Sequence, residues 1–326
     1  MVVGHERQIK YLEKVLQNGR FAHAYLFLGS EGVGKFAVAK NFSKLFYCRQ
    51  MLQVNNDRCL SATFAKICDV CSDCVWIERG VHPQVFILGL ENTLVSKKDK
   101  RKEIPIGDIR ELKRILSFAP AGEQWRVVII NQADKMSKEA ESAFLKILEE
   151  PGSLVLFILV GEDRDSFSET IISRTQVINF SLLPEKILAG FLQSQNKDHN
   201  FIREVLLLAQ GRAGVIIKML TDKQILVAEL KLFKEIRDLL QKKDIAGALS
   251  LAEKTAGEDL VRQKAVLYLL GAIRERLLLG PQPLSADVFL TLQAIKKIHR
   301  VWQIMETTNV NPRLAMDVIF LEALPR

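Results

Sequence analysis

The sequence lacks any long hydrophobic run, and no apolar stretch approaches the ~20 residues that a membrane-spanning helix needs. The N-terminal segment MVVGHERQIK lacks the apolar region of a secretory signal. The chain also contains no internal repeat and no low-complexity tract. These absences exclude a membrane anchor from our expectations, and we expect a cytoplasmic protein.

The composition shows no excess that would mark a special class of protein. Hydrophobic residues make up 48% and charged residues 26% of the 326 residues, as in ordinary globular proteins with two or three domains. The net charge of +8 suits contact with an acidic partner such as nucleic acid. No aromatic and basic pattern for reading bases is visible, so the charge indicates backbone contact at most. We interpret the cluster KKDKR at 97–101 as a solvated loop.

Short apolar segments alternate with amphipathic segments over the first 180 residues. The apolar segments HAYLFLGS, PQVFILGL, WRVVII, SLVLFILVG and TQVINF are typical of buried strands. Such alternation predicts an α/β domain whose parallel sheet carries helices on its faces. After LLPEK only amphipathic helical segments follow, so the rest of the chain is predicted to be all-α.

The stretch GSEGVGKF follows the first predicted strand and nearly matches a phosphate-binding loop. Gly29, Gly32, Gly34 and Lys35 supply the glycines and the lysine that cradle phosphates in such loops. The next residue is Phe36, where a Ser or Thr hydroxyl would bind Mg²⁺. The glycines would also suit a plain strand-to-helix turn, but the strand, loop and helix context favours descent from a nucleotide-binding fold.

The second magnesium-binding element is also missing. A strand ending in two carboxylates normally serves this purpose, but RVVII at 126–130 is followed by Asn131 and Gln132. An amide cannot act as a general base and neutralises no metal charge. We therefore expect neither Mg²⁺ nor metal-dependent ATP hydrolysis, whereas nucleotide binding without hydrolysis stays open.

The chain has five cysteines, all in one segment. Cys59, Cys68, Cys71 and Cys74 have the spacing C-x8-C-x2-C-x2-C, which suits four thiolates on one structural Zn²⁺. An iron–sulfur cluster and unliganded thiols are the alternatives; the x3-C-P continuation typical of some iron–sulfur sites is absent. Disulfides are unusual in the cytoplasm. We interpret Cys48, at the end of an apolar helix, as a small buried residue outside the site.

Several stretches occur in a fixed order: HAYLFLGSEGVGK, the four-cysteine insertion, VVIINQADKMSKEAESAFLKILEEPGSLVLFIL and TIISRTQ. In this order they resemble the bacterial clamp-loader subunits of the AAA+ superfamily, over roughly residues 4–215. The resemblance implies a RecA-like AAA+ core at 1–180 with a zinc module at about 48–76. It also implies a small helical lid at 181–222 and a C-terminal all-α collar domain at 223–326.

The resemblance assigns a role to a short motif near the last predicted strand. Ser173, Arg174 and Thr175 match the Ser-Arg-Cys motif of the family, whose arginine reaches the ATP of a neighbouring subunit. A guanidinium is permanently charged and presents a rigid fork of donors, as that task requires. Thr175 replaces the cysteine, which puts the local packing in question. The motor subunits resemble one another in having a threonine at the position where this sequence has Gly161 and Glu162. Their sensing hydroxyl is therefore missing here.

The resemblance thus implies a non-catalytic subunit that completes the ring loading the sliding clamp on primed DNA. The implied partners are the gamma and tau motor subunits, the delta subunit, the clamp and, through the complex, primer–template DNA. Arg174 would act in trans, with Ser173, on a neighbouring ATPase site. Two other hypotheses stay open: a divergent gamma- or tau-like active ATPase, and a zinc-containing nucleic-acid-binding adaptor.

Overall fold

The structure is a computed structural model that describes residues 2–19, 21–49, 63–94, 101–118, 124–152, 154–279 and 285–324. Cys59 and residues 97–100 of the basic cluster lie outside these ranges. The chain divides into two compact units, Met1–Phe191 with Gly211–Gly214, and Leu192–Gln210 with Val215–Arg326. The separation of a lid from a collar stays a prediction. No helix within the described ranges is long and apolar enough to cross a membrane.

The first unit is built on a parallel sheet. Its strands are β1 (Ala24–Leu28), β2 (Val85–Leu88), β3 (Arg126–Ile130), β4 (Val155–Gly161) and β5 (Gln176–Asn179). They lie in the order β2-β3-β4-β1-β5, and every pairing is parallel. The central strands β3, β4 and β1 are buried along their whole length, which explains their uninterrupted apolar sequences.

Helices cover both faces of this sheet. They are α1 (Glu6–Gln17), α2 (Lys35–Tyr47), α3 (Ser72–Arg79), α4 (Ile106–Ser117), α5 (Lys138–Glu149) and α6 (Glu169–Arg174). Phe27 of β1 packs with Phe42 of α2 on one face, and Leu26 packs with Phe144 of α5 on the other. This arrangement confirms the predicted α/β fold with a parallel sheet, because successive strand residues point into two separate helical layers.

The carboxyl ends of the central strands meet at one edge of the sheet. Leu28 of β1 is paired with Gly161 of β4, and Ile130 of β3 is paired with Leu159 of β4. The segments that follow these strands therefore lie side by side. In open parallel sheets this edge is where ligands bind.

The second unit is all-α within the described residues. Helix α7 (Glu185–Ser194) contains the boundary between the units. The helices that follow are α8 (His199–Ala209), α9 (Ala213–Thr221), α10 (Lys223–Lys242), α11 (Ile245–Thr255), α12 (Asp259–Leu279), α13 (Ser285–Thr307) and α14 (Pro312–Ala323). Inside this unit the buried carboxylate of Glu229 on α10 accepts hydrogen bonds from Tyr268, at 2.6 Å, and from Lys264, both on α12.

Candidate functional site

The loop between β1 and α2, residues 29–34, has the backbone of an anion-binding turn and is called the glycine loop below. Gly29, Gly32 and Gly34 have φ angles of 146°, 76° and 119°. Gly29 has no substitute, since a Cβ at this position would lie 2.1 Å from the carbonyl oxygen of Phe180. Helix α2 begins immediately after the loop, at Lys35. Loop amides and a helix N-terminus together provide the donors and the positive dipole end that favour phosphate.

The carbonyl oxygens of the glycine loop are bonded within the chain. The buried ammonium of Lys35 donates to the carbonyl oxygen of Ser30 at 2.8 Å and to that of Gly29. Burial lowers the pKa of Lys35. The N–H of Gly214, at the start of α9, donates to the carbonyl oxygen of Gly32 at 2.7 Å. Lys35, the first residue of α2, thus stabilises the loop that precedes it.

His5 also contacts the glycine loop, and no sequence motif indicates a partner for this residue. Its Nε2 lies 2.9 Å from the carbonyl oxygen of Val33, and its ring packs edge-on against Phe180 with 5.0 Å between centroids. Burial lowers the pKa of His5, against the opposing effect of the bond to Val33. No local motif predicts the contacts of His5 or of Gly214, because both partners are distant along the chain.

The positions of the predicted magnesium ligands hold no carboxylate and no hydroxyl. Phe36 is half-buried against the apolar cluster on its side of the sheet, and Lys40 Nζ lies 5.1 Å from the centroid of its ring. Asn131 follows β3, and its N–H donates to the carbonyl oxygen of Leu88 at 2.8 Å. Gln132 has a left-handed φ of 55°. These side chains pack and turn the backbone where a metal ion would need oxygen ligands.

Four carboxylates lie around Lys35, those of Glu31, Asp134, Glu162 and Asp163, and the sequence pattern gave none of them a role at the loop. Glu31 belongs to the glycine loop, Asp134 follows β3 in the 3-10 turn Ala133–Lys135, and Glu162 follows β4. Only 5% of the Asp134 side chain is exposed, and its Oδ1 has no hydrogen-bond partner among the described residues. Burial, Glu31 and Asp134 raise the pKa of Glu162, while Lys35 has a smaller, opposite effect.

Four cysteine side chains converge between α2 and α3 and are called the cysteine cluster below. They are Cys48, Cys68, Cys71 and Cys74, whose sulfur atoms lie within 4.8 Å of one another. Cys48 Sγ is 3.6 Å from Cys68 Sγ, which is 3.9 Å from Cys74 Sγ. Tetrahedral metal coordination with metal–sulfur bonds near 2.3 Å requires about 3.8 Å between sulfurs. The cluster is therefore able to hold one tetrahedral metal ion.

The membership of the cluster corrects our interpretation of Cys48. From the sequence we expected this residue to lie outside the site. It caps the C-terminus of α2, and its thiol lies beside that of Cys68. The fourth ligand predicted from spacing, Cys59, lies outside the described residues. Spacing along the chain could not identify Cys48. The end of α2 and the turn from Cys68 to Cys71, called the knuckle below, are brought together by the fold and not by a local turn.

The thiols of the cluster differ in their surroundings. Burial opposes ionisation of Cys68, but backbone N–H groups of Cys71 and Val70 outweigh it and lower its pKa to about 7. The N–H of Cys71 points at Cys68 Sγ from 3.3 Å. Burial raises the pKa of Cys74. A bound cation would favour the thiolate form of every member.

Ion pairs fasten the cysteine cluster to α2. The ammonium of Lys44, buried on α2, lies 2.7 Å from Asp69 Oδ1 and 2.8 Å from Glu78 Oε2. Lys40 also pairs with Glu78. Burial opposes the ionisation of Glu78, but hydrogen bonds from Lys40 and Lys44 outweigh it and hold its pKa at about 2. The knuckle and α3 are thereby fixed against the helix that carries Cys48.

Arg174 ends α6 with a partly exposed side chain. Its Nη2 donates to Glu149 Oε1 at 2.9 Å and its Nη1 to the carbonyl oxygen of Thr170 at 3.3 Å. Ser173 Oγ donates to the same carbonyl oxygen at 3.0 Å. The hydroxyl of Thr175 donates to the carbonyl oxygen of Ile171 at 3.0 Å, so its polar atom has a partner. None of the interactions described for Arg174 joins it to the glycine loop of its own chain.

Comparisons with known proteins match the sheet-bearing unit most specifically. A family profile described as "DNA polymerase III, delta subunit" matches residues 4–184. The chain is similar to DNA polymerase III subunit tau of Bacillus subtilis (strain 168), with 31% identity over 189 residues, or 58% of this chain and 30% of tau. Subunit delta' of the same organism is 28% identical over 197 residues, or 60% of this chain and 54% of delta'.

One further relative matches nearly the whole chain. DNA polymerase III subunit gamma of Buchnera aphidicola subsp. Acyrthosiphon pisum is 24% identical over 331 residues, covering 95% of this chain and 86% of gamma. The chain spans only about half of delta' and about a third of tau. The family profile nevertheless covers the glycine loop, the cysteine cluster and Arg174 together. The chain therefore belongs to the family described as "DNA polymerase III, delta subunit".

Proposed function

We propose that this chain is the delta-prime-type, non-catalytic subunit of the clamp loader. It completes the ring that places the sliding clamp on primed DNA and lends Arg174 to the ATP bound by a neighbouring subunit. One observation carries the proposal: at the magnesium position the chain offers the ring of Phe36, packed against the apolar core, and no oxygen ligand.

The chemistry of phosphoryl transfer explains why this observation matters. ATP hydrolysis in loops of this kind needs Mg²⁺ held by a hydroxyl and a carboxylate, and a residue that orients the attacking water. Phe36 and Asn131 stand at the two metal positions, and Gln132 stands where the second carboxylate would follow. Without the metal, the charge that develops on the transferred phosphoryl group is not neutralised. The glycine loop therefore has a structural role in this chain.

Arg174 has the chemistry needed to act in trans. Its guanidinium presents parallel N–H donors to phosphate oxygens and stays charged at all physiological pH values. With 36% of its side chain exposed, it stands within reach of solvent and of a neighbouring subunit. Glu149 and the Thr170 carbonyl oxygen bind opposite ends of the guanidinium and restrict its rotamers.

We also propose that the cysteine cluster holds a structural Zn²⁺. Four thiolates complete a tetrahedral shell and leave no open position for substrate. Bound zinc would link Cys48, at the end of α2, to the knuckle at Cys68 and Cys71 and to Cys74 on α3. No catalytic step passes through it. Cys59 stays a prediction made from spacing alone.

The proposed partners are those that the clamp-loader role implies, and only the subunits among them are named in the comparisons. Gamma and tau would be the motor subunits, and the delta subunit, the sliding clamp and primer–template DNA would complete the assembly. The helical second unit would contribute to the collar of the ring. A replication role of this kind belongs to the cytoplasm of a bacterium.

A divergent gamma- or tau-like ATPase is the second candidate, favoured by the 31% identity to tau. Purified protein that hydrolyses ATP with Mg²⁺, at a rate abolished by Lys35→Ala, would establish it. The third candidate, a zinc-containing nucleic-acid-binding adaptor, would show salt-sensitive DNA binding by the isolated chain and no complex with clamp-loader subunits.

Reconstitution with the motor subunits, the delta subunit and the clamp tests the proposal. Arg174→Ala should lower the DNA-stimulated ATPase rate while size-exclusion chromatography shows intact assembly. An arginine supplied in trans is worth on the order of 10³-fold at the site it serves. Arg174→Lys should be impaired as well, since it keeps the charge but loses the fork. Arg164→Ala, in the exposed turn before α6, is the matched control. Wild-type rates with Arg174→Ala would overturn the assignment.

A further inference from the structure

The carboxylates around the glycine loop have no part in the function proposed above. Glu162 touches the loop directly, since its carbonyl oxygen accepts the N–H of Gly29 at 3.0 Å. Glu31 stands in the loop with an exposed side chain. Asp134 comes from the neighbouring strand, and its Oδ1 lies 3.3 Å from where a Cβ on Gly161 would stand. The three residues thus come from three segments of the chain, and each carboxylate interacts electrostatically with Lys35, which follows the loop.

This group of acids is offset only in part by Lys135, which pairs with Asp134, and by Lys35. The ammonium of Lys35 is engaged by the carbonyl oxygens of Gly29 and Ser30, which belong to the loop backbone. Burial lowers the pKa of Lys35 and, together with Glu31 and Asp134, raises that of Glu162. Burial is the largest cause of both shifts, and only the shift of Glu162 also reflects neighbouring negative charge.

The excess negative charge does not form a cation site. A metal ion needs several ligand atoms that converge on one point. Among the described residues, the cysteine cluster is the group of acidic, histidine and cysteine side chains close enough to share an ion, and the three carboxylates form no such group. Asp134 Oδ2 lies 3.5 Å from Lys135 Nζ, whereas Oδ1 has no hydrogen-bond partner within the described part of the chain.

We propose that Glu31, Asp134 and Glu162 exclude nucleotide polyphosphates from the glycine loop by electrostatic repulsion. The loop backbone still has the geometry that accepts an anion, with a helix N-terminus behind it. A nucleoside triphosphate carries several negative charges, and each nearby carboxylate opposes its binding. In a partly desolvated site, one such charge weakens binding by about tenfold.

The inference rests on the proposed function and deepens it. A clamp-loader subunit that cannot hydrolyse ATP would be trapped in one state by a nucleotide that it captured. Repulsion at the loop keeps the subunit free of nucleotide while the motor subunits bind and hydrolyse theirs. Specificity here comes from an unfavourable contact and not from a missing favourable one.

Calorimetric titration of the purified full-length chain with ATP tests the inference. The titration is made in EDTA, since the metal ligands are absent, at concentrations up to about 1 mM, where weak binding becomes measurable. Wild type should show no saturable binding. The triple variant Glu31→Gln, Asp134→Asn, Glu162→Gln should bind ATP, and adding Lys35→Ala should abolish the gained binding.

The matched control removes three exposed carboxylates elsewhere on the first unit, by Glu91→Gln, Glu139→Gln and Glu150→Gln. It changes the net charge as much as the triple variant and should bind no ATP. Glu31→Gln alone is a safe single variant, because the side chain is exposed, and it should show measurable ATP binding, weaker than that of the triple variant.

The outcomes separate this inference from the proposed function. Wild-type protein that binds ATP as tightly as the triple variant would overturn the repulsion, and so would a folded triple variant and a Glu31→Gln variant that both fail to bind. Neither result bears on Arg174, whose role is read from the ATPase rate of the assembled complex. ATP hydrolysis by the wild-type chain alone would instead overturn the proposed function.

Discussion

Arg174 Nη2 lies 2.9 Å from Glu149 Oε1 and joins the last residue of α6 to the last residue of α5. Both side chains are partly exposed, so the ion pair is worth about 1 kcal/mol or less. Such a contact is strong enough to favour one rotamer and weak enough to yield to a phosphate. Glu149 is therefore a positioning residue for the arginine that we propose acts in trans.

Glu149→Ala should lower the DNA-stimulated ATPase of the reconstituted complex several-fold, since the guanidinium loses one of its two anchors. The expected loss corresponds to about 1 kcal/mol of orientation energy. Glu149→Gln keeps an oxygen acceptor and should restore most of the rate. Single-turnover kinetics at saturating ATP would separate the chemical step from binding.

The control for this prediction is a double-mutant cycle. Glu149→Ala should have no further effect in an Arg174→Ala background, because its role passes through that arginine. Glu150→Ala removes the adjacent exposed carboxylate and should leave the rate unchanged. Additive losses from Glu149→Ala and Arg174→Ala would contradict the positioning role.

The cysteine cluster predicts which thiols hold the metal. Elemental analysis of the purified protein should find about one zinc per chain, as four thiolates imply. Cys48→Ser should lose the metal and lower the melting temperature, since a ligand that ends α2 is removed. Cys59→Ser should keep the zinc. A protein that loses zinc with Cys59→Ser and keeps it with Cys48→Ser would return the site to the ligand set predicted from spacing.

The features that could be predicted from the sequence depend on residues that are close together along the chain. Those that could not be predicted depend on contacts between distant segments. The five strands follow from continuous apolar segments, and the glycine loop follows from a local motif. Cys48 could not be found in this way, because α2 must first pack against the knuckle through Lys44, Asp69 and Glu78. The arrangement of Asp134 and Glu162 likewise depends on β3 and β4 being neighbours in the sheet.

His5 gives the first unit a dependence on pH. Burial holds its pKa below the ordinary value of 6.5, so the neutral ring is favoured in the folded state and protonation favours unfolding. The stabilisation is present above pH 6.5 and is lost as the pH falls from 6.5 through the lowered pKa. Urea unfolding between pH 7.5 and about pH 5 should show a declining free energy of unfolding.

The His5→Gln variant tests the origin of that decline. Glutamine keeps an N–H donor for the carbonyl oxygen of Val33 but does not titrate, so the slope with pH should flatten. The exposed His23 is the matched control, and His23→Gln should leave the slope unchanged. A His5→Gln protein with the wild-type pH profile would show that other groups cause the decline.

Gly214, which belongs to the first unit, contacts the glycine loop at a separation that no side chain tolerates. Its N–H donates to the carbonyl oxygen of Gly32, and a Cβ on Gly214 would stand 2.8 Å from that oxygen. Gly214→Ala should therefore lower the free energy of unfolding by about 1–3 kcal/mol, the range for overpacking. Denaturant unfolding measures the loss.

The matched control is Gly190→Ala in α7, where a Cβ would have no neighbour within 4 Å among the described atoms. An alanine there should be neutral or stabilise the helix by about 0.5–1 kcal/mol, because glycine loses more backbone entropy on folding. The two variants make the same chemical change, so a difference between them isolates the contact with Gly32. Equal stability of Gly214→Ala and Gly190→Ala would mean that the contact of Gly214 with Gly32 does not stabilise the loop. In that case Lys35 and His5 would be the remaining side chains that fasten the loop's carbonyl oxygens.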